Sequence, residues 1–534
     1  MLLEKTRRLL EFLFSAERNK QVRIFLIVLF SLLFFVTRLP GLKTDVISPD
    51  AVNWHYRSEQ FVVGLKYQQF DKTYQHYHPG VILMWVTGIP IELYKQITND
   101  TVYNNSNFET FDLIAKTSLV LVQFVLLILI LCILPKIIGF YKTFLTVVFF
   151  TFEPFFVGNS RLYHLDVLTT LLLLLSLIFA FLGLKKEKIV YQILAGFFLA
   201  LSFLTKSVSV GAVLFVLFYA ISYFIFSKQP KRIFKYCMVT FLSFVFFTFL
   251  LFPALWVKPV YYLSFIFSES IRVGVRKGHS QILLGEVTKD PGFWFYPLVI
   301  LVKASPFLII GFIAGLITSL KKVGEILKDT KSKFLNFGLY LAVFNLGYVA
   351  AMIYPAKKID RYMIVIYPFM ALLAVIGYSR ILSLCRTKRT KILFWLSISA
   401  FSVVFWIYPL IKLYPYYFAY TSPLVGSSEN ANRIVVQKAF GVGIHELRDF
   451  ILKRYGGQPK LGFYDVKPMG AIYPHSRIFY VKTYGPSNYD LLVLPMNEDM
   501  PSNVLNDKNY YVEKDSSLII NGLEYWRIYV TKKK

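Results

Sequence analysis

Cysteine is scarce in this chain of 534 residues: there are three, Cys132, Cys237 and Cys385. Each lies in or beside an apolar run, and none has the neighbour spacing of a ligand set. A disulfide framework or a zinc site is therefore excluded as the basis of the fold. Acidic residues are few as well, 31 against 59 Lys and Arg, which leaves a formal net charge of +28. In a soluble protein such a surplus points to nucleic acid. Here many basic residues form short clusters beside apolar runs, as cytoplasmic membrane loops do, so nucleic acid is not an expected partner. No small-x-small cleavage site follows the first apolar stretch, residues 24–36. Thr37-Arg38-Leu39-Pro40 stands there instead, which argues against a signal peptide. Internal repeats and low-complexity tracts are also missing, against a transporter built from inverted repeats.

What the chain has in quantity is apolar length. Hydrophobic residues make up 56% and aromatics 18%, above the roughly 45–50% apolar share of soluble domains. Runs fit to span a bilayer lie near 22–38, 113–134, 143–158, 166–184, 189–205, 208–226, 236–256, 294–319, 334–354, 362–379 and 392–410. Counted from a cytoplasmic N-terminus, every inside connection is basic: Lys136/Lys142, Lys185/Lys186/Lys188, Lys228/Lys231/Arg232/Lys235, the lysines of 321–333, and Arg380 to Lys391. The expected fold is therefore mainly α, a polytopic membrane protein of about eleven transmembrane helices in the cell membrane. Residues 1–20 read as a cytoplasmic amphipathic segment, because leucines and Phe14 interleave with Lys5, Arg7 and Arg8. The membrane domain covers 21–411, with long outer loops at 39–112 and 257–293. Within the first loop, the apolar stretch 80–93 is too short to span and fits a re-entrant or surface helix. Residues 432–534 read as a small extracytoplasmic α/β domain, with a helix over 432–455. Strands are expected at 460–466, 477–483 and 489–495, and a hairpin at Asn521-Gly522.

Charge at membrane depth is costly, and outer loops are ordinarily poor in Lys and Arg, so residues that violate both expectations carry information. Lys357, Lys358 and Arg361 crowd one short outer turn. Lys206 and Arg161 mark two others, and Lys303 lies within an apolar run. Each alone suits snorkelling to headgroups. Together on one face they suit binding of a lipid phosphate, with Arg offering bidentate contacts. The same face holds Asp50 and His55 in the first loop, then His76 and His78-Pro79, and later Glu153, His164 and Asp166. These histidines join the cations as candidate substrate-binding residues. Asp166 opens an apolar helix, so N-terminal capping is its ordinary role. A carboxylate, a cationic site and an outward pocket suit transfer of a group from a lipid phosphate carrier. A hydroxyl nucleophile needs a base, whereas a phosphate leaving group needs cations rather than a protonating acid. Asp50 and Asp166 are the candidate catalytic pair. They are also the candidate ligands of a divalent metal, whose use stays open because no compact motif is present.

At these residues the sequence resembles the GT-C glycosyltransferases of the protein O-mannosyltransferase and aminoarabinose transferase superfamily. The resemblance runs from about 38 to 426, most clearly at 48–61, 74–85, 153–166, 196–206, 253–259, 296–306, 357–368 and 414–426. It implies an inverting transferase that takes a sugar from a polyprenyl phosphate on the outer face, with an acceptor that is a glycan, lipid or protein. It further implies Asp50 as base, Asp166 as second acid, His78-Pro79 as the family's basic-residue-plus-proline element, and Lys206, Lys357, Lys358 and Arg361 round the donor phosphate. Ala51 follows Asp50 where many relatives carry an acidic pair. Gly80 stands where a second proline is common, and the second outer loop is only about 35 residues, without a large inserted domain. A Ser/Thr protein acceptor is therefore unsupported. The competing classes are a flippase for a lipid-linked glycan, which needs charges along a path through the bilayer, and a non-catalytic envelope-assembly protein.

Overall fold

The computed structural model describes residues 19–100, 102–227, 230–274, 281–326 and 333–534, together with Glu17 and Lys328. The segment expected over 1–20 lies, apart from its last residues, outside the described residues. All of the expected apolar runs are helical. Among the described residues, seven helices are long and apolar enough to cross a membrane: Lys20–Arg38, Phe108–Ile138, Asp166–Lys186, Ser207–Ile225, Lys231–Leu251, Asp360–Leu384 and Lys388–Lys412. Phe140–Thr151 and Pro154–Ser160 make a further span bent by 72°, and Ile189–Thr205, Pro306–Lys321 and Phe337–Ile353 are shorter apolar helices. A helix of 17 residues is about 25 Å long, close to the hydrocarbon thickness. The chain is a multi-pass membrane protein with a small C-terminal α/β domain.

Burial sorts the spans. Asp166–Lys186 is buried round its whole circumference, as its continuous Leu and Phe content requires of a central helix. Lys388–Lys412 lies at the other extreme, with almost no buried face, and fits the bundle perimeter.

Two expected elements are broken. The run at 294–319 is two helices, Phe295–Lys303 and Pro306–Ile326. Pro306 disfavours helical geometry at Ser305 and starts the next helix at its first turn, while Ser305 N–H and Oγ donate to the Glu153 carboxylate. Lys303 is accordingly the last residue of a short helix rather than a mid-span charge. The helix expected over 432–455 is likewise two, Ser428–Ile434 and Ile444–Tyr455. The first ends at Val435, which is extended (φ −136°, ψ 122°), and beyond it residues 440, 441 and 443 take positive φ (46°, 79° and 69°), a left-handed geometry through which a right-handed helix cannot run.

The first long loop is itself largely helical. α1 (Pro49–Lys66) and α2 (Val81–Thr98) pack side by side and against the membrane helices. The second carries a short hairpin, β1 (Gln281–Leu283) and β2 (Glu286–Thr288). In the C-terminal domain, β3 (Leu461–Phe463), β4 (Ile478–Tyr480), β5 (Leu491–Pro495), β6 (Tyr510–Ile520) and β7 (Leu523–Lys533) form one sheet in the order β4-β3-β5-β7-β6. The first three pair in parallel, and β7 runs antiparallel to both neighbours. Asn521 and Gly522 have φ of 49° and 75°, the left-handed pair that a two-residue hairpin turn demands.

The domain is tied to the membrane part at separated points. Lys467 Nζ donates to Asn53 Oδ1 at 2.8 Å, and Asn105 Nδ2 to the carbonyls of Gly470 and Tyr473 at 2.8 and 2.9 Å. Arg448 NH1 donates to Glu109 Oε1 at 2.6 Å, and Asn521 Nδ2 to Ala419 O at 2.9 Å.

Candidate active site

α1 begins Ser48-Pro49-Asp50, a sequence made for a helix start. Ser48 Oγ accepts from Ala51 N–H at 3.0 Å, Pro49 needs no N–H bond in the first turn, and the Asp50 carboxylate sits at the positive end of the helix. Its Oδ2 lies 3.2 Å from His164 Nε2 and 3.3 Å from Arg361 NH2. Asp166 opens the Asp166–Lys186 span but makes no capping bond. Instead its Oδ1 accepts from Lys206 Nζ at 2.6 Å, and its Oδ2 lies 3.0 Å from His164 Nδ1 and 3.3 Å from Arg361 Nε. His164 and Arg361 therefore each bridge the two carboxylates. Each makes its hydrogen bond to Asp50, while towards Asp166 the contacts of His164 Nδ1 and Arg361 Nε are ion-pair contacts without hydrogen-bond geometry. Lys206 also lies 4.2 Å from the centroid of the Tyr362 ring, which follows Arg361 in the Asp360–Ile366 turn.

The two carboxylates differ in access. The Asp166 side chain is 6% exposed and that of Asp50 is 42% exposed. The protein packed round Asp50 pushes its carboxyl up; the hydrogen bond and charge of His164, together with Arg361, outweigh this and hold it well below the usual carboxylate range. Arg57, Lys357 and Lys438 all feel the Asp50 charge. Arg57 stacks on Trp54 at 4.6 Å. Among the described residues none of these three cations has a carboxylate partner, so the open side of Asp50 is lined by positive charge.

The rings of His76, Tyr77 and His78 lie in contact, tilted by 35° and 48°, with centroids 4.1 and 4.3 Å apart. Burial and then the Arg57 charge push His76 down to about 4; burial and then Lys206 push His78 well below its ordinary value. Both are neutral at pH 7, suited to hydroxyls rather than anions. His78 Nδ1 lies 3.0 Å from Ser207 Oγ, next to Lys206. Gly80 follows with φ 62°, and a Cβ there would stand 2.3 Å from the Trp54 ring. This is the local reason that a second proline is absent.

The structure thus gathers Asp50, His164, Asp166, Lys206 and Arg361 into one network, with Lys357, His76 and His78 beside it. Four other candidates lie elsewhere. His55 Nε2 faces Asp112 Oδ1 at 3.0 Å, and His55 Nδ1 faces Tyr103 OH at 3.1 Å. Arg161 is buried against Asp45, with NH1 2.9 Å from Arg38 O. Lys303 Nζ donates to Tyr420 O at 3.0 Å and to Gln437 Oε1. Lys358 pairs with Asp290 at 2.9 Å. Three residues at the site were not read as candidates. Arg57 lies seven residues after Asp50 on the same helix, hence on the same face, and that spacing was available. Lys438 and Phe440 come from the C-terminal domain and had no signal of this kind.

No group of three or more His, Cys, Asp or Glu side chains fit to hold a metal occurs among the described residues. Asp50 Oδ2 and both Asp166 oxygens are faced by nitrogen cations or imidazole, a donor set that does not fit a divalent ion.

Residues 112–256, which include Asp166 and Lys206 but not Asp50, match the family model described as dolichyl-phosphate-mannose-protein mannosyltransferase. Comparison with curated proteins gave no match. Among solved structures the chain is similar to ArnT from Cupriavidus metallidurans bound to undecaprenyl phosphate, at 14% identity over 84% of this chain and 74% of that one, TM-score 0.48. It is also similar to the Archaeoglobus fulgidus oligosaccharyltransferase in its apo form, at 11% identity over 87% and 65%, TM-score 0.48. A further match is AglB from the same organism in complex with an inhibitory peptide and a dolichol-phosphate, at 11% identity over 88% and 69%, TM-score 0.44.

Proposed function

We propose that the chain is a glycosyltransferase that moves a sugar from a polyprenyl-phosphate-linked donor to an acceptor hydroxyl, at the membrane face that the C-terminal domain covers. The observation that carries this reading is the surplus of unpartnered cations, Arg57, Lys357 and Lys438, on the open side of a bridged carboxylate pair. Such a rim attracts an anion, and the neutral His76 and His78 beside it suit sugar hydroxyls. The family description and the bound lipids of the similar structures name polyprenyl phosphates, which supports the carrier class.

In the proposed step the acceptor oxygen forms a bond to the anomeric carbon as the bond from that carbon to the phosphate oxygen breaks. The electron pair leaves with the polyprenyl phosphate, where Arg361, Arg57 and Lys357 stabilise the charge that develops. The hydroxyl proton passes to the Asp50 carboxylate, and a single displacement inverts the anomeric centre. An Asp held as low as Asp50 is a weak base. Donor phosphate sharing the charge of Arg361 in place removes part of that restraint and raises the proton affinity of Asp50 when it is needed. Asp166, deeper and held by Lys206, anchors His164 and Arg361. Hexosyl or pentosyl transfer both fit this geometry. The basic clusters support an extracytoplasmic site with the N-terminus in the cytoplasm.

The test is turnover of a panel of polyprenyl-phosphate sugars by purified protein. Asp50→Asn is expected to lower transfer by about 10²–10⁴-fold in a protein that still folds, with a melting temperature lowered only as far as loss of the Asp50 charge beside His164 and Arg361 requires. Wild-type turnover in that variant sinks the assignment.

A further inference from the structure

The loop between the two broken helices of the C-terminal domain reaches the site. Residues 435–443 read Val-Val-Gln-Lys-Ala-Phe-Gly-Val-Gly. The Phe440 ring lies 4.1 Å from the Arg361 guanidinium carbon, stacks on Phe418 at 5.4 Å, and meets the His164 ring at 6.5 Å. Phe440 therefore touches both groups that bridge Asp50 and Asp166. Two residues earlier, Lys438 is exposed and unpaired among the described residues, beside Arg361 and Asp50.

The loop is held in this place at a conformational cost. A bulky aromatic at φ 46° is an outlier, and such geometry persists only where the surroundings over-determine it. The surroundings do so here. A Cβ on Gly441 would stand 1.8 Å from Ile47 O, three residues before Asp50, so only glycine permits this approach. Trp526 Nε1 donates to Val442 O at 2.8 Å, Asn497 Nδ2 to Gln437 O at 2.7 Å, and the buried Lys303 to Gln437 Oε1. Lys303, placed outside the network, thus acts on the loop.

We propose that this loop is a working wall of the site: Phe440 is a positioning residue that fixes the Arg361 fork across the two carboxylates, and Lys438 is a binding cation for the donor phosphate. The proposal rests on the glycosyltransferase reading for its substrate. Stacking restricts the guanidinium plane without consuming its N–H donors, which stay free for carboxylates and phosphate. Lys438, which has no ion-pair partner among the described residues and lies within range of the charges of Asp360, Arg361, Glu498 and Asp50, contributes charge to the ground state and the transition state alike.

The two roles predict different kinetics in the full-length protein. Phe440→Leu keeps bulk but loses the ring face; kcat is expected to fall on the order of 10-fold to 100-fold, the scale of a misplaced catalytic group, with donor KM within about twofold. Phe440→Tyr, which keeps the ring, restores most of that rate. Lys438→Gln is expected to raise donor KM about fivefold to tenfold at constant kcat, as loss of uniform binding does. It also raises, by the same factor, the undecaprenyl phosphate concentration that half-saturates thermal stabilisation of the protein. Wild-type kcat in Phe440→Leu, or Phe440→Tyr as slow as Phe440→Leu, overturns the positioning role. Should Phe440→Leu fail to fold, the rate of Phe440→Met, which also keeps bulk without a ring face, takes its place in that comparison. Unchanged half-saturation in Lys438→Gln overturns the binding role. A wild-type protein that transfers no sugar from any donor defeats the glycosyltransferase reading instead, and the undecaprenyl phosphate comparison still decides the loop.

Discussion

α1 carries two clusters built from the same residue types, less than two turns apart. At its start Asp50 meets His164 and Arg361; further along, His55 meets Asp112, which pairs with Lys116 Nζ at 2.6 Å. The second cluster is closed: the side chains of Asp112 and Lys116 are fully buried, His55 is 2% exposed, and its other nitrogen meets Tyr103. Charge is matched within it and nothing faces outward. The first cluster is open on the Asp50 side and surrounded by cations that have no partner among the described residues. The same residue types make a closed, charge-matched cluster in one place and an accessible, charge-unmatched one in the other.

Breaking the closed cluster is expected to have the largest effect. Asp112→Ala leaves Lys116 buried without its counterion, a loss of about 3–5 kcal/mol, read as a collapsed melting temperature or absent expression. A stable, active Asp112→Ala protein would erase the distinction between the clusters. Arg361→Lys, which keeps the charge but not the fork, is expected to lower kcat on the order of 10-fold to 100-fold with a melting temperature near wild type. An equal loss of stability would make Arg361 structural in the same sense as Lys116. Ionic strength separates the clusters more gently. Raising salt from 0.05 to about 0.5 M shortens the screening length about threefold and is expected to raise donor KM a few-fold, with the unfolding of the closed cluster unmoved.

The smallest effect is in acid. His76 is held near 4, below its ordinary value of 6.5, so the unfolded chain takes up a proton that the fold refuses. The stability contribution is therefore complete above pH 6.5 and is lost as pH falls from there towards 4. His76→Gln is expected to flatten the melting temperature against pH in that window by roughly 1–2 °C. A flattening above pH 7 contradicts the assignment.

How far the sequence can be read depends on the kind of signal. The spans were legible because each is a long apolar run, and the Asn521-Gly522 turn because its two residues favour the geometry that it adopts. The break at Ser305 was signalled by Pro306 and that at 435–443 by Gly441 and Gly443, but an apolar or periodic pattern across them masked both. Misplaced charge led to Asp50, Asp166, His164, Lys206 and Arg361, which the structure gathers. It led equally to His55, Arg161 and Lys303, which find buried partners distant in sequence. The cost of burying a charge is the same in both groups; what differs is the partner, and partners are set by tertiary packing. Phe440 was illegible for a related reason: nothing local marks a residue whose surroundings come from another domain.

The ties between the C-terminal domain and the membrane part reach Asn53 in α1, Asn105 and Glu109 at the end of the first long loop, and Ala419 after the last span. A body pinned at several elements swings only when all of these bonds give way. Lifting it requires these bonds, at about 1 kcal/mol each, to break together with the apolar core that the two parts share. The domain is in effect a fixed roof, and traffic beneath it depends on the segments between the pins.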